Sequence, residues 1–164
     1  MQEILSHVQI EQKINRLAHQ LLENCFEEKE IFIGGIQGNG YILAERLSSI
    51  IVANSDLKTN LFEVKLNKSE PWSKDITLSM GQKKMENGYI VLVDDVLNSG
   101  KTMQYALVEI LQFRTKAIKT LTLVDRKHRR FPIKANFVGM SLSTTLKQHV
   151  EVDLKSKKNK AYLV

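Results

Sequence analysis

Cysteine is nearly absent from this chain of 164 residues: Cys25 stands alone. An internal disulfide framework is excluded, and a reducing, cytoplasmic setting is the expectation. Proline occurs twice, and the chain has no linker, repeat or low-complexity run. No apolar stretch approaches the ~18 residues that a membrane-spanning helix needs. The start, Met1-Gln2-Glu3-Ile4, lacks the basic and apolar regions of a signal peptide. Aromatic residues do not interleave with the basic ones, so no platform for stacking exposed bases is evident.

What remains is an ordinary globular composition, 43% hydrophobic and 26% charged, of a size that predicts one domain over residues 1–164. Acidic residues are the scarcer sign, 18 against 24 Lys and Arg, giving a net charge of +6. That excess fits an anionic substrate or an RNA partner. Part of it collects at Lys127, Arg129, Arg130 and Lys134, and part at Lys155, Lys157, Lys158 and Lys160. Both runs read first as solvated turns.

Helix and strand patterns alternate along the chain. Ile10, Ile14, Leu17, Leu21 and Leu22 recur at helical spacing, which predicts an amphipathic helix over about 7–28. Strands are expected at 30–36, 61–66, 76–80, 89–93 and 117–124, with short late strands at 137–139, 149–154 and 161–163. Helices are expected at 41–53 and about 101–113. A polar loop with Pro71 and Trp72 lies between 67 and 74. Such alternation implies right-handed crossovers and a parallel sheet whose ligands bind beyond the carboxyl ends of the strands.

The most informative stretch is Val91-Leu92-Val93-Asp94-Asp95-Val96-Leu97-Asn98-Ser99-Gly100-Lys101-Thr102. An apolar strand ends in two carboxylates, suited to neighbouring sugar hydroxyls. It then turns through a small, hydroxyl-bearing loop into a helix, whose free N–H groups suit a phosphate. A nucleoside-triphosphate P-loop is rejected, because its first glycine would fall on Asp95. The run Gly34-Gly35-Ile36-Gln37-Gly38-Asn39-Gly40 could open a dinucleotide site, but the third glycine of that fingerprint would be Leu43.

The Asp94–Thr102 run resembles the phosphoribosyl diphosphate (PRPP) motif of type I phosphoribosyltransferases. A second stretch, Leu123-Val124-Asp125-Arg126-Lys127-His128-Arg129-Arg130-Phe131-Pro132-Ile133 through Gly139, resembles that of bifunctional pyrimidine-operon attenuators/uracil phosphoribosyltransferases. The resemblance implies an α/β fold, a Rossmann-like parallel sheet flanked by helices, with a small hood. It implies that Asp94 and Asp95 act catalytically on the ribose and that Asn98, Ser99, Gly100, Lys101 and Thr102 grip the 5-phosphate. Gln37, Gly38, Asn39 and Gly40 would bind the pyrophosphate, in relatives often beside a non-proline cis peptide. Arg126, Phe137 and Val138 would bind the base. Mg²⁺ would accompany PRPP, with no metal ligands assigned in the chain, and a homodimer or homotetramer is expected.

The chain departs from these relatives in three places. Gln37 and Asn39 stand where Lys and Arg are common, the 67–74 region offers lysines in place of an arginine, and Met140 replaces a lysine. Asn98 stands where the purine-salvage branch has an aspartate base, and Asn cannot accept a proton. The resemblance therefore implies transfer of ribose 5-phosphate to a nucleobase, uracil in preference to a purine. The alternative is a nucleotide-sensing, RNA-binding regulator with weak or no catalysis.

Overall fold

The computed structural model describes residues 1–164. Thirteen elements follow in the order β1 (Gln2–Leu5), α1 (His7–Asn24), β2 (Glu30–Ile36), α2 (Asn39–Asn54), β3 (Lys58–Lys65), β4 (Thr77–Leu78), α3 (Gln82–Met85), β5 (Tyr89–Leu97), α4 (Lys101–Ile110), β6 (Ala117–Asp125), β7 (Phe137–Ser141), β8 (Val150–Asp153) and β9 (Lys160–Leu163). Six strands form the main sheet in the order β4-β3-β2-β5-β6-β7, and three form a second sheet in the order β1-β9-β8. The main sheet is parallel except for β4, which returns antiparallel to β3.

The central strands are apolar on both faces because helices cover both. Along β5 the side chains alternate between two cores. Val91 and Val93 join the cluster under α1 and α2, whereas Ile90 and Leu92 join the one under α4. The first helix starts at a reciprocal cap: Ser6 Oγ accepts from the Gln9 N–H at 3.3 Å, and Gln9 Oε1 accepts from the Ser6 N–H at 2.9 Å. Its periodic residues Ile10, Ile14, Leu17 and Leu21 are all fully buried. The helix ends at Asn24, short of the expected 28, and Cys25 closes it through an N–H bond to Leu21 O of 2.9 Å.

The second sheet is the hood, antiparallel and placed over the α1–α2 side; Leu5, Leu154 and Ala161 anchor it in that core. Neither β1 nor the short α3 was expected from sequence. A four-residue strand whose partner lies at the far end of the chain, Gln2 opposite Leu163, leaves no local periodicity to read. Strand β5 also runs through Leu97, so the Asp94–Asp95 pair belongs to the strand and not to a turn after it.

Helix α2 packs closely on β2 at Gly35. A Cβ on Gly35 would lie 2.4 Å from Tyr41 Cα and 2.7 Å from Gly40 O, both backbone atoms that cannot rotate away. Gly35→Ala should therefore destabilise the fold by about 3 kcal/mol through overpacking, measurable as a lower urea midpoint with an unchanged denaturant slope.

Candidate active site

The carboxyl end of β5 opens on a cavity of about 340 Å³. Its walls are the continuous run 94–103, joined only by Lys68 from the β3–β4 connection and Val150 from the hood. Of the residues expected from sequence, Asp94, Asp95, Asn98, Ser99, Gly100, Lys101 and Thr102 come together here. Gln37, Gly38, Asn39, Gly40, Arg126, Phe137 and Val138 are not among the lining residues.

Asp94 is 6% exposed, and its Oδ1 accepts the Asp95 N–H at 2.9 Å. Burial, with the adjacent Asp95 charge second, pushes its carboxyl well above the usual carboxylate range. The Lys68 ammonium acts in the opposite sense. Asp95 is better solvated, and its Oδ2 accepts from Asn39 Nδ2 at 3.1 Å. Its carbonyl accepts from the Thr122 hydroxyl at 3.2 Å.

The turn after β5 is held from behind. The Asn98 carbonyl accepts from Arg129 Nη1 at 2.7 Å, and the Ser99 carbonyl accepts from the N–H groups of Arg130 (2.8 Å) and Phe131 (3.0 Å). Gly100 adopts φ +86° and leads into α4; a Cβ there would strike Ile133 Cγ2 at 2.3 Å. With the carbonyls tied back, the first-turn N–H groups of α4, which lack intrahelical acceptors, belong to residues that wall the cavity. An N-terminal helix turn that opens on such a pocket suits a phosphate.

Arg129 is the residue that sequence reading missed. It looked like part of a solvated basic run, yet its Nη2 pairs with Asp125 Oδ1 at 2.7 Å and its Nε donates to Ile133 O at 3.0 Å. The Asp125-to-Arg129 spacing was the only available signal. Arg126 is 6% exposed and also has its donors occupied: Asn98 Oδ1 (3.0 Å), Thr144 Oγ1 (3.0 Å), the carbonyls of Thr145 (3.3 Å) and Gln148, and His128 Nδ1 (3.3 Å). With His128, whose Nε2 meets the Thr144 carbonyl at 2.5 Å, it holds the segment before β8 against the end of β6.

Phe137 lies in the core beside Leu121, four positions short of the carboxyl end of β7, and is 7% exposed. Val138 gives its carbonyl to Arg16 Nη2 at 3.4 Å. Neither residue lines the cavity at the end of β5. Gln37 and Gly38 are exposed, Gly40 is buried against Val93 and Asp94, and every peptide bond is trans.

Lys101 contributes its backbone to the cavity wall, but its Nζ donates to Ser69 O at 2.8 Å and lies 5.7 Å from the Trp72 ring. Trp72 packs against Tyr105 at 6.1 Å, and Tyr105 against Phe131 at 6.2 Å. This aromatic series docks the 67–74 segment on α4 and sets Lys68 at the rim.

A parallel sheet with a hood, a carboxylate pair and an adjoining phosphate-type helix turn defines an α/β protein built for a sugar phosphate. The phosphoribosyl transferase domain family model matches residues 1–157. A bifunctional protein PyrR of Macrococcus caseolyticus is 33% identical over 92% of this chain and 90% of its own length. Another, of Synechocystis sp., is 34% identical over 93% and 89%. Among solved structures, the hypoxanthine phosphoribosyltransferase of Trypanosoma cruzi superposes with a TM-score of 0.81 at 13% identity, covering 99% of this chain and 95% of that one. The hypoxanthine-guanine phosphoribosyltransferase of Bacillus anthracis gives 0.76 at 19%, with 99% and 98% covered. The chain belongs to the type I phosphoribosyltransferase family, on the branch of the bifunctional PyrR proteins.

Two outcomes follow from these geometries. Because the folded chain holds the Asp94 proton more tightly than the unfolded chain, raising the pH costs stability as that carboxyl ionises. Asp94→Asn keeps the acceptor and removes this cost. Its melting temperature should exceed the wild type's at neutral pH, with the gap closing toward roughly pH 4, where an unfolded aspartate is half protonated. Arg129→Ala should lose about 2 kcal/mol in chemical denaturation, and Arg129→Lys should recover little of it, because one ammonium cannot serve three separated acceptors.

Proposed function

We propose that the chain transfers the ribose 5-phosphate of PRPP to a nucleobase, with uracil as the base, and releases pyrophosphate. The observation that carries this reading is the unbroken wall 94–103, which sets two carboxylates and a helix N-terminus around one cavity. Asp94 and Asp95 accept hydrogen bonds from the ribose hydroxyls and favour positive charge growing on the ring. The turn Asn98–Thr102 holds the 5-phosphate, and Lys68 adds a cation above it. The bond from C1 to pyrophosphate breaks with its electron pair leaving on the pyrophosphate, and the base nitrogen bonds to C1 as its proton passes to solvent.

Asn98 supports uracil over a purine. Arg126 occupies its Oδ1, so the side chain offers the cavity an amide donor and no proton acceptor. A base whose reacting nitrogen is already fairly acidic needs no general base there. We place that base against Val150, the hood's contribution to the wall.

The donor set bears on Mg²⁺. Asp94 and Asp95 are the carboxylates at the cavity. They would hold the ion through hydrogen bonds from its water shell. Bound there, it would neutralise charge developing on the leaving pyrophosphate.

The whole chain is read as one catalytic unit, assembled as a homodimer or homotetramer. No helix is long and apolar enough to cross a membrane, and the unpaired, buried Cys25 fits a cytoplasmic setting. A second reading, RNA-binding regulation, is favoured by Lys155, Lys157 and Lys158, which share the exposed turn between β8 and β9.

Pyrophosphate release from PRPP and Mg²⁺ should be seen with uracil, and not with hypoxanthine, guanine or no base. Asp95→Asn should lower it by roughly 100-fold or more with an unchanged thermal melt. Release with a purine alone would overturn the uracil assignment. Silence with every base, together with RNA binding that falls steeply with salt and is lost on replacing the three lysines by Ala, would establish the regulator instead.

A further inference from the structure

At the start of α2 the Asn39 amide ties two distant elements together. Both hydrogens of one amide nitrogen are spent: Nδ2 donates to Asp95 Oδ2 at 3.1 Å and to Val152 O at 2.7 Å. The first partner is a carboxylate at the ribose end of the cavity, and the second is backbone of the hood strand β8. Two residues earlier on that strand, Val150 walls the same cavity. No residue of the 34–40 loop is part of the wall.

We infer that Asn39 is a positioning residue, which clamps the hood strand to the Asp95 carboxylate and takes no part in holding the diphosphate. The inference rests on the phosphoribosyl reading of the cavity. An amide suits this task, because it presents two donors from one atom at the angle needed to bridge a side chain and a strand carbonyl. The clamp fixes the rotamer of Asp95 and the height of Val150 together, so the ribose subsite is formed before ligand arrives. The cost is a diphosphate subsite with little positive charge, since Gln37 is neutral and exposed.

The two possible roles of Asn39 separate cleanly by ligand. Ribose 5-phosphate shares the sugar hydroxyls and the 5-phosphate with PRPP but lacks the diphosphate. Calorimetric titration of wild type, Asn39→Ser and Asn39→Asp with each ligand in Mg²⁺ is the first arm. The second is backbone hydrogen exchange, read by mass spectrometry on peptides covering 150–153. Under the clamp, both variants lose affinity for both ligands by the same factor, roughly tenfold for a bond to a charged acceptor. Asn39→Asp is at least as damaging, since it sets a third carboxylate against Asp95, and exchange over 150–153 quickens in both. Loss of PRPP binding alone, with ribose 5-phosphate unaffected, would show that Asn39 turns to the diphosphate and would overturn the inference. Unchanged affinities with unchanged exchange would overturn it too. If the wild type binds neither ligand, the phosphoribosyl reading itself fails. The exchange arm then still decides whether the clamp exists: quickened exchange upholds it and unchanged exchange refutes it.

Discussion

Two adjacent carboxylates at the end of the central strand are the constraint around which this molecule is organised. Consecutive strand residues point to opposite faces, and the buried member of this pair is Asp94. Its burial beside a like charge is unfavourable and lifts its affinity for a proton. The fold compensates locally, with the Asp95 N–H on one carboxyl oxygen and Lys68 brought near from another connection.

The loops around this pair are fastened from the side away from the cavity. Two arginines turn onto carbonyls: Arg129, which the sequence places in a solvated run, onto Asn98 and Ile133, and Arg126, expected at the base, onto Thr145 and Gln148. Arg129 and Arg130 act on the backbone of the turn, tying its carbonyls away from the cavity. Cationic assistance on the cavity side comes from Lys68, whose segment is docked by Trp72 on Tyr105 and by Lys101 on Ser69.

The hood has the opposite economy. It is a small antiparallel sheet formed from both chain ends, with few buried residues of its own, and it is joined to the core by polar bonds as well as by apolar packing. Asn39 to Val152 and Arg46 to Asn159, each at 2.7 Å, are among the ties that cross between them. Directional bonds fix height and register where a thin sheet cannot do so by packing alone.

The local sequence determined the alternation of elements, the parallel sheet, the carboxylate pair and the glycine turn into α4, because each depends on short-range periodicity or on a contiguous run of residues. Residues 94–102 could be read together because the chain itself delivers them together. Only the tertiary structure decided which distant groups join them: Lys68 and Val150 at the wall, Arg129 behind the turn, and Asn39 on Asp95 and Val152. It also decided that Phe137 stays in the core, since its place along β7 relative to β6 is set by strand register. Side chains separated by tens of residues leave no mark on local periodicity. Their meeting depends on crossover lengths, register and the hand of the sheet, which exist only once the whole chain is packed.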